Sequence, residues 1–370
     1  MYKSIPIYKP HLGGNEKKYV NDCLDSSWIS SRGEYISRFE DGFAEWLEVP
    51  AATTVANGTV ALHLALHALG IGPGDEVIVP TLTYIASVNA VAYVGAKPVF
   101  VDSLDDTWNV DPEDVRRKIT SRTKAVMIVH LYGNPCAIAE LQAVCSGHQL
   151  WLVEDAAEAL GSRYDGKLVG GFGDVSTFSF FGNKVITTGE GGMVTSNKVE
   201  LIERVAHLKN QGVSATREYW HDEIAFNYRM TNICAAIGLA QLERVERILE
   251  KKRAINAWYV KYLKGLDLQF QREDALASSC YWMVTILAPS EALRDSIREC
   301  LKSHGVETRP IFYPAHRMPA FFSETCFPVA DQLSARGMNL PSYPDLSEIE
   351  VELICGLIRT FLTSADTKPR

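Results

Sequence analysis

The sequence predicts an α/β fold, in which a mostly parallel mixed sheet flanked by helices is followed by a smaller α+β domain. Two observations support this prediction. Short apolar segments with strand character alternate with helix-like segments between residues 51 and 196, and one long helical pattern follows from residue 231. Regular alternation of strands and helices is typical of parallel sheets that are covered on both faces. The chain has 370 residues, enough for two domains or one large one.

The predicted elements follow one another in a regular order. An N-terminal arm and a loop at residues 28–33 precede the first predicted helix, at residues 34–47. The strand-like segments after it are residues 51–55, 76–80, 97–101, 125–130, 150–154, 175–181 and 193–196. The helix-like segments among them are residues 58–69, 85–94, 112–119 and 137–145. This order predicts a single sheet built largely from parallel strands.

The C-terminal part of the chain has a different pattern. One long helix is predicted at residues 231–263, and its charged residues between positions 243 and 253 would form a solvent-exposed face. The segments after it are a strand and two helices, at residues 281–287, 291–304 and 346–362. We therefore predict a large domain over residues 1–240 and a small domain over residues 241–370, joined by the long helix. The polar tail after Thr363 is expected to be disordered.

The composition argues against nucleic acid and membranes as partners. The 37 basic and 45 acidic residues give a formal charge of −8, without a concentrated basic patch. Residues 77–96 carry no charge and are long enough to span a bilayer, but their proline and hydroxyl side chains favour a buried strand, turn and helix. The first ten residues lack the apolar core of a signal peptide. Eight scattered cysteines without a C-x-x-C pair are typical of reduced thiols, so we expect a cytoplasmic protein.

Lys184 lies in an apolar turn bounded by glycines, between the strands predicted at residues 175–181 and 193–196. A lone lysine in such a turn is more often a surface residue at the tip of a hairpin. Here no acid lies beside it until Glu190, so its ammonium would be poorly solvated and its free amine could form a Schiff base with an aldehyde. Ser179 and the nearby glycines supply donors suited to a phosphate. A reactive amine beside an anion site is what pyridoxal phosphate (PLP) requires.

Asp155 follows directly after the strand predicted at residues 150–154. In open α/β sheets, ligands bind at the carboxyl ends of the strands. An aspartate there could also cap a following helix, and alone it would not decide between the two roles. Because Lys184 is present, we assign Asp155 to the pyridine nitrogen of the cofactor. A carboxylate keeps that nitrogen protonated, so that the ring can accept electrons.

The helix predicted at residues 58–69 begins with Gly58 and Thr59 and is apolar almost all round, so we expect it to be buried. Its free N–H groups and positive dipole end would suit a phosphate, although an ordinary N-cap gives the same pattern. His63 and His67 have the spacing of a zinc pair, but the glutamate of H-E-x-x-H and a third ligand are missing. We therefore expect both histidines to be packed polar residues and predict no metal site.

The segment SFFGNKVITTGEGGM, at residues 179–193, resembles the Schiff-base segment of the nucleotide-sugar aminotransferases of the DegT/DnrJ/EryC1/StrS group. The likeness extends over nearly the whole chain, from WISS at residues 28–31 to residues 340–341. It implies a fold-type-I, aspartate aminotransferase-like structure that uses PLP, with pyridoxamine phosphate (PMP) as the intermediate form. Lys184 would carry PLP, and Asp155 matches the aspartate of the family's DAA motif.

The resemblance also implies roles for residues around the cofactor. Glu158 stands where many relatives have glutamine or histidine near the phenolic oxygen of the ring, and Tyr84 matches an aromatic residue that stacks on the ring. Ser179 would bind the phosphate together with Gly58 and Thr59. These assignments all belong to the large domain.

Two further segments resemble parts of the family that contact the other subunit or the substrate. The segment FNYRMTN, at residues 226–232, is similar to one whose asparagine reaches the phosphate of the partner subunit. Asn227 is therefore the candidate for a site shared within a homodimer. The proline-stiffened loop at residues 307–316 lies beside the sugar nucleotide in the family. The substrate contacts carried over to it are Arg309, Tyr313 and His316.

By resemblance, the chain transfers the amino group of L-glutamate to a nucleotide-linked 4-keto-6-deoxy sugar, with GDP-4-keto-6-deoxymannose as the first choice. Its pathway would be the assembly of a bacterial surface polysaccharide such as O-antigen. The nucleotide and the aminated carbon stay open, since UDP- or dTDP-linked sugars and amination at C3 are alternatives. A PMP-dependent sugar dehydratase is disfavoured because such relatives have histidine in place of Lys184. A non-catalytic binder of sugar nucleotides is disfavoured by the joint presence of Lys184, Asp155 and Ser179.

Overall fold

A seven-stranded sheet forms the centre of the larger part of the protein, in a computed structural model that describes residues 4–365. The elements of this part are, in chain order, α1 (Glu16–Asp25), α2 (Glu34–Leu47), β1 (Ala51–Val55), α3 (Gly58–Ala68), β2 (Glu76–Pro80), α4 (Ile85–Tyr93), β3 (Lys97–Val101), α5 (Pro112–Lys118), β4 (Thr123–Val129), α6 (Ile138–His148), β5 (Trp151–Asp155), β6 (Arg163–Tyr164), β7 (Lys167–Leu168), β8 (Val175–Ser179), β9 (Gly192–Ser196) and α7 (Val199–Lys209). The strand order is β1-β9-β8-β5-β4-β2-β3. Strand β9 is antiparallel to both neighbours, and the other adjacent pairs are parallel. The prediction of a mostly parallel mixed sheet is thus confirmed.

The rest of the chain builds a second, antiparallel sheet. Its elements are α8 (Asn232–Leu242), α9 (Val245–Leu263), β10 (Gln269–Phe270), β11 (Ala277–Ser278), β12 (Val284–Leu287), α10 (Glu291–Ser303), β13 (Arg309–Pro310), α11 (Pro328–Arg336), β14 (Gly337–Leu340) and α12 (Glu348–Ala365). Four strands form a sheet in the order β10-β12-β14-β13, and β11 joins β6 and β7 in a small third sheet. The domain boundary predicted near residue 240 falls at the end of α8, and we keep it as a proposal. The predicted disordered tail lies, from residue 366, outside the described residues.

Apolar helices cover both faces of the large sheet. On one face, Phe39 and Phe43 of α2 pack against Phe180 and Phe178, with ring centroids 5.2 and 5.0 Å apart. All four rings are buried, and each contributes about 1.5–3 kcal/mol to stability by its burial. Side chains alternate along a strand, so Ser179, between the two sheet phenylalanines, points to the opposite face. Ser179 therefore meets the start of α3, which covers that face.

The prediction of a single helix at residues 231–263 is wrong, because the structure has two helices there, α8 and α9. They are separated at Glu243 and Arg244, and Arg244 has a φ of −124° and a ψ of 8°, outside the helical range. The carboxylate of Glu243 accepts hydrogen bonds from Tyr19 (2.6 Å) and Asn15 (2.7 Å) in the N-terminal region. These contacts hold Glu243 at the point where the chain leaves the helical conformation, although the sequence pattern of a helix continues through it. Helix α1, which contains Tyr19, was not predicted.

The uncharged stretch at residues 77–96 is divided between β2, a turn and α4, as predicted. Within residues 4–365, none of the helices combines the length and the apolar character that a membrane span needs. Apolar residues of β2 and α4 are instead buried in one cluster with those of α3. The absence of charge therefore reflects burial inside the protein.

Candidate active site

A cavity of about 660 Å³ opens where β4, β5 and β8 end and α3 and α4 begin. Eight of the eleven predicted site residues line it: Gly58, Thr59, Tyr84, Asp155, Glu158, Ser179, Lys184 and Arg309. This is the carboxyl edge of the parallel strands, where α/β proteins bind ligands. A second cavity of about 670 Å³ lies at the opposite end of β5, beside Gln142 and Asn197, and none of the predicted residues lines it.

Lys184 is held in a turn after β8. Its backbone N–H donates to the carbonyl of Phe181 (2.9 Å), and its own carbonyl accepts a hydrogen bond from the hydroxyl of Tyr8 (2.5 Å). The side chain is 12% exposed, and its Nζ lies 4.0 Å from Oε1 of Glu158. Burial lowers the pKa of Lys184 below its ordinary value, and the carboxylates of Glu158 and Asp155 partly oppose that shift. The amine is therefore more readily available as a nucleophile than that of an exposed lysine.

Asp155 ends β5 and points into the cavity. Its Oδ2 accepts a hydrogen bond from the hydroxyl of Ser87 in α4 (2.7 Å), and its Oδ1 accepts one from the N–H of Ala157 (3.1 Å). Burial raises the pKa of Asp155 above its ordinary value, and these two hydrogen bonds and the charge of Lys184 only partly oppose that shift. The two donors fix the orientation of the carboxylate, so that it can receive one further positively charged or N–H group.

Glu154, the residue before Asp155, holds the surrounding loop together. Its carboxylate accepts hydrogen bonds from five donors: the N–H groups of Gly170, Phe172 and Gly173, the hydroxyl of Ser176, and Nε2 of His130, at 2.6–3.1 Å. The N–H of Cys136 donates to Nδ1 of His130, so the proton of the ring is on Nε2. This buried network anchors the end of β5 and thereby the position of Asp155.

Glu158 is buried beside Lys184. Its Oε2 accepts a hydrogen bond from the N–H of Tyr132 (2.8 Å), a residue with a left-handed φ of 56°. Burial raises the pKa of Glu158 to about 7, with opposing effects from Lys184 and the Tyr132 N–H. The carboxyl group can therefore both hold and release a proton near neutral pH.

The start of α3 and the end of β8 form an anion site. Oδ1 of Asn57 caps the helix by accepting from the N–H of Val60 (3.0 Å), which leaves the N–H groups of Gly58 and Thr59 for another acceptor. A Cβ added at Gly58 would lie 2.8 Å from Cβ of Ser179, so only glycine allows this close approach. These donors fit a phosphate group.

Asn183, the residue before Lys184, also lines the cavity. Oδ1 of Asn183 is buried and accepts no hydrogen bond from any residue that the structure describes. A buried acceptor without a partner is unfavourable unless a ligand or water satisfies it. The fit to a cofactor rests on Lys184, Asp155 and the anion site at Gly58, which together suit an aldehyde-bearing ring with a phosphate, as in PLP.

A row of aromatic side chains leads from Lys184 to the mouth of the cavity. The ring of Trp282 stacks on Tyr132 (6.1 Å), Tyr132 stacks on Phe312 (5.2 Å), and Phe312 contacts Tyr84 (5.6 Å). Only Tyr84 among them was predicted, and it is 57% exposed. Trp282 and Tyr132 come from distant segments without a shared motif, so the sequence offers no signal by which to group them. Phe312 lies in the loop at residues 307–316, which was predicted to lie beside the substrate.

Three predicted residues lie outside the cavity. Tyr313 is exposed at the surface next to it, and Asn227 is exposed in the loop before α8. His316 is buried: its Nδ1 lies 2.7 Å from the hydroxyl of Thr81, and its Nε2 lies 3.3 Å from Asp331. The proline-rich loop thus turns His316 inward to join two segments of the protein, and the structure does not bring it to the cavity.

The two histidines of α3 are also placed by packing. The ring of His63 lies edge-on to Phe226, with centroids 4.8 Å apart, and His67 contacts the same ring. Within residues 4–365, no group of three or more His, Cys, Asp or Glu side chains is arranged to hold a metal ion.

Comparison with known proteins gives matches along nearly the entire chain. The model of the DegT/DnrJ/EryC1/StrS aminotransferase family matches residues 10–359. The chain is 55% identical to GDP-perosamine synthase of Escherichia coli O157:H7, over 97% of this chain and 99% of that protein. It is 54% identical to GDP-perosamine synthase of Vibrio cholerae, over 96% and 99% of the two chains.

Solved structures agree with this result. The protein Spr1654 of Streptococcus pneumoniae, in its PLP form, superposes with a TM-score of 0.94 at 29% identity and covers 98% of this chain and 99% of its own. DesV of S. venezuelae superposes with a TM-score of 0.92 at 33% identity, covering 97% and 98%. Spr1654 has also been solved in a PMP form.

Proposed function

Because the chain belongs to the DegT/DnrJ/EryC1/StrS aminotransferase family, we propose that it transfers the amino group of L-glutamate to GDP-4-keto-6-deoxymannose and so forms GDP-perosamine. The observation that carries this proposal is the 54–55% identity, over nearly the full length, to two proteins named GDP-perosamine synthase. The predictions of a fold-type-I structure, of aminotransferase activity and of PLP as the cofactor are confirmed. The individual residue roles are part of the proposal.

The central role belongs to Lys184, which would hold PLP covalently and later move a proton. PLP, when bound, supplies an electron sink and carries the amino group between the two substrates. When it is not bound to the cofactor, Nζ of Lys184 would be a free base inside a buried cavity. It would accept the proton from the α-carbon as a general base and, as a general acid, return it to the cofactor carbon on the other side of the amino nitrogen. The lowered pKa of Lys184 keeps more of its amine in the free form that can take up a proton, and it makes the ammonium a readier donor in the second transfer.

Asp155 and the anion site would orient the cofactor. The carboxylate of Asp155, fixed by Ser87 and Ala157, would pair with the pyridine N–H. The N–H groups of Gly58 and Thr59 and the hydroxyl of Ser179 would bind the phosphate. Since these two groups lie at different strand ends, they would hold the ring at both of its ends and leave Lys184 beside it.

Arg309 and the aromatic row would face the substrates. Arg309 lines the cavity, and its Nη2 lies 3.6 Å from Oε1 of Glu307. A cation in this place suits a carboxylate or a diphosphate. Phe312 beside it offers a flat apolar surface for a sugar or a base.

We also propose a homodimer in which Asn227 completes the partner subunit's site. Arg229 donates from Nε and Nη2 to Oδ1 of Asn227 (3.1 and 2.8 Å) and from Nη1 to Asn210 (3.1 Å). Arginine can only donate, so the atom of Asn227 that Arg229 binds is the amide oxygen, and the NH₂ group is the part left to donate elsewhere. An exposed amide donor held in this way suits a phosphate oxygen of a second chain. We place the enzyme in the cytoplasm, where its cysteines would stay reduced.

A spectroscopic titration tests the proposed substrates. L-Glutamate is expected to remove the visible absorption band of the PLP-loaded protein, and GDP-4-keto-6-deoxymannose is expected to restore it. The matched controls are the UDP- and dTDP-linked 4-keto-6-deoxy sugars, which should react with a kcat/KM at least about 100-fold lower. If one of these controls restores the band faster, the activity stays an aminotransferase and the proposed nucleotide is wrong.

Mixed dimers test the shared site. Dimers formed from equal amounts of the Lys184→Ala and Asn227→Ala chains should regain about a quarter of the wild-type activity, because half of them contain one intact site out of two. The activity is measured at a PLP concentration that saturates only the wild type. Asp155 and Lys184 line the same cavity of one chain, so mixing Lys184→Ala with Asp155→Asn should restore nothing. Equal behaviour of the two mixtures would place Asn227 outside the partner's site.

A further inference from the structure

Trp282 lies directly beside the reactive amine. It belongs to the segment between β11 and β12, and it is 5% exposed. Nζ of Lys184 lies over its indole ring, 3.8 Å from the ring centroid. Contact at this distance with the face of a tryptophan stabilises a cation, because the ring carries negative charge density on its faces. The chain thus brings an aromatic face from its C-terminal half to the reacting atom of its N-terminal half.

The ring of Trp282 is held on several sides. Its Nε1 donates to the carbonyl of Asn183 (2.7 Å), the residue before Lys184. Its own carbonyl accepts a hydrogen bond from Nζ of Lys252 (2.8 Å), a fully buried lysine that also donates to the carbonyl of Ser342. Tyr132 stacks on the ring with an interplanar angle of 11°. Because these contacts fix the indole, its face needs little rearrangement to receive a charge.

We propose that Trp282 is a positioning residue that holds the protonated amine of Lys184 during proton transfer. The α-carbon of the amino acid loses its proton and keeps the bonding electrons, and the lone pair of Nζ takes up that proton. The ammonium then stays on the indole face until it gives the same proton to the cofactor carbon on the other side of the amino nitrogen. The proton and the electrons therefore balance without a further reactant. This inference rests on the aminotransferase activity and is independent of which sugar is the acceptor.

The other groups near Lys184 explain why a neutral face is useful there. The titratable groups that act on Lys184 or bond to its backbone are Glu158, Asp155, Cys280 and Tyr8. Asp155 is assigned to the cofactor, and Glu158 changes its charge near pH 7. The contact with Trp282 would stabilise the ammonium by the same amount on either side of neutral pH, because an indole ring does not titrate in that range.

A matched pair of variants tests the proposal in the full-length protein stripped of PLP. Trp282→Phe and Trp282→Leu both lose the hydrogen bond to Asn183, but only phenylalanine keeps an aromatic face. Acetylation of Lys184 by acetic anhydride, followed by mass spectrometry across a range of pH, gives the pKa of its amine. The pKa in the leucine variant should lie about one unit below that in the phenylalanine variant. Equal values in the two variants, or a higher value with leucine, would overturn the proposal.

A second measurement avoids any loss of folding in the leucine variant. Fluorinated tryptophans placed at position 282 keep the shape and the N–H of the ring while withdrawing electron density from its face. The pKa of Lys184 should fall stepwise as the number of fluorine atoms rises. A pKa that stays constant along this series would show that Trp282 only fills space. Neither measurement uses a sugar nucleotide, so their outcome is separate from that of the substrate titration.

Discussion

Replacing Lys184 by alanine is expected to lower the rate of amino transfer by at least about 10⁴-fold, because one side chain supplies both the covalent link and the moving proton. Nζ of Lys184 is the amine that the turn after β8 places inside the cavity, 4.0 Å from Glu158. Steady-state assays with L-glutamate and the keto sugar measure the loss. The visible band that reports PLP bound through Lys184 should be absent as well.

Lys184→Arg is the matched control for this prediction. Arginine keeps the positive charge and much of the length, but its guanidinium remains protonated and cannot act as the nucleophile. It should therefore be nearly as inactive as alanine, while an added small amine should partly restore the proton transfer in the alanine variant. A Lys184→Ala protein with wild-type turnover would refute the covalent role and the mechanism built on it.

The residues that could be predicted from the sequence are those with a local signal. Asp155 follows an apolar strand, and Lys184 lies in a glycine-bounded turn between two strands. In a parallel sheet the strand ends share one edge, so two such signals far apart in the chain come together in one cavity. Gly58 and Ser179 come together for the same reason, since each follows or ends a strand at this edge. They lie so close that a Cβ added at Gly58 would be 2.8 Å from Cβ of Ser179.

The residues that escaped prediction depend on contacts between distant segments. Trp282 and Tyr132 meet where the C-terminal part of the chain packs against the large sheet, and each alone resembles an ordinary core aromatic. Phe312 lies in the predicted substrate loop at residues 307–316, but the sequence did not single it out. His316 shows the converse. Its motif suggested a substrate contact, but the hydroxyl of Thr81 holds its ring in the interior. The local sequence motifs therefore predicted the chemistry of the site, whereas the packing of distant segments determines which side chains surround it.

Asp155→Asn should lower the rate of the first half-reaction, with L-glutamate alone, by about 10²–10³-fold. Asparagine has the same shape, and the hydroxyl of Ser87 can reverse its hydrogen bond to meet the new NH₂ group, while the N–H of Ala157 keeps its oxygen acceptor. The substitution therefore removes a charge with little change in structure. Without that charge the pyridine nitrogen is no longer held in its protonated form, and the electron sink is weakened.

Stopped-flow absorbance at saturating L-glutamate measures the first-order rate constant of this half-reaction, separately from the binding of L-glutamate. Since Asp155 is placed against the ring and away from the phosphate site, the affinity for PLP should fall far less than the rate. Ser87→Ala is the graded control: it removes one of the two hydrogen bonds that orient the carboxylate but keeps the charge. Its rate should lie between the wild type and Asp155→Asn. If Asp155→Asn matched the wild type while Ser87→Ala was slow, the hydroxyl of Ser87 would be the essential group and the carboxylate only its support.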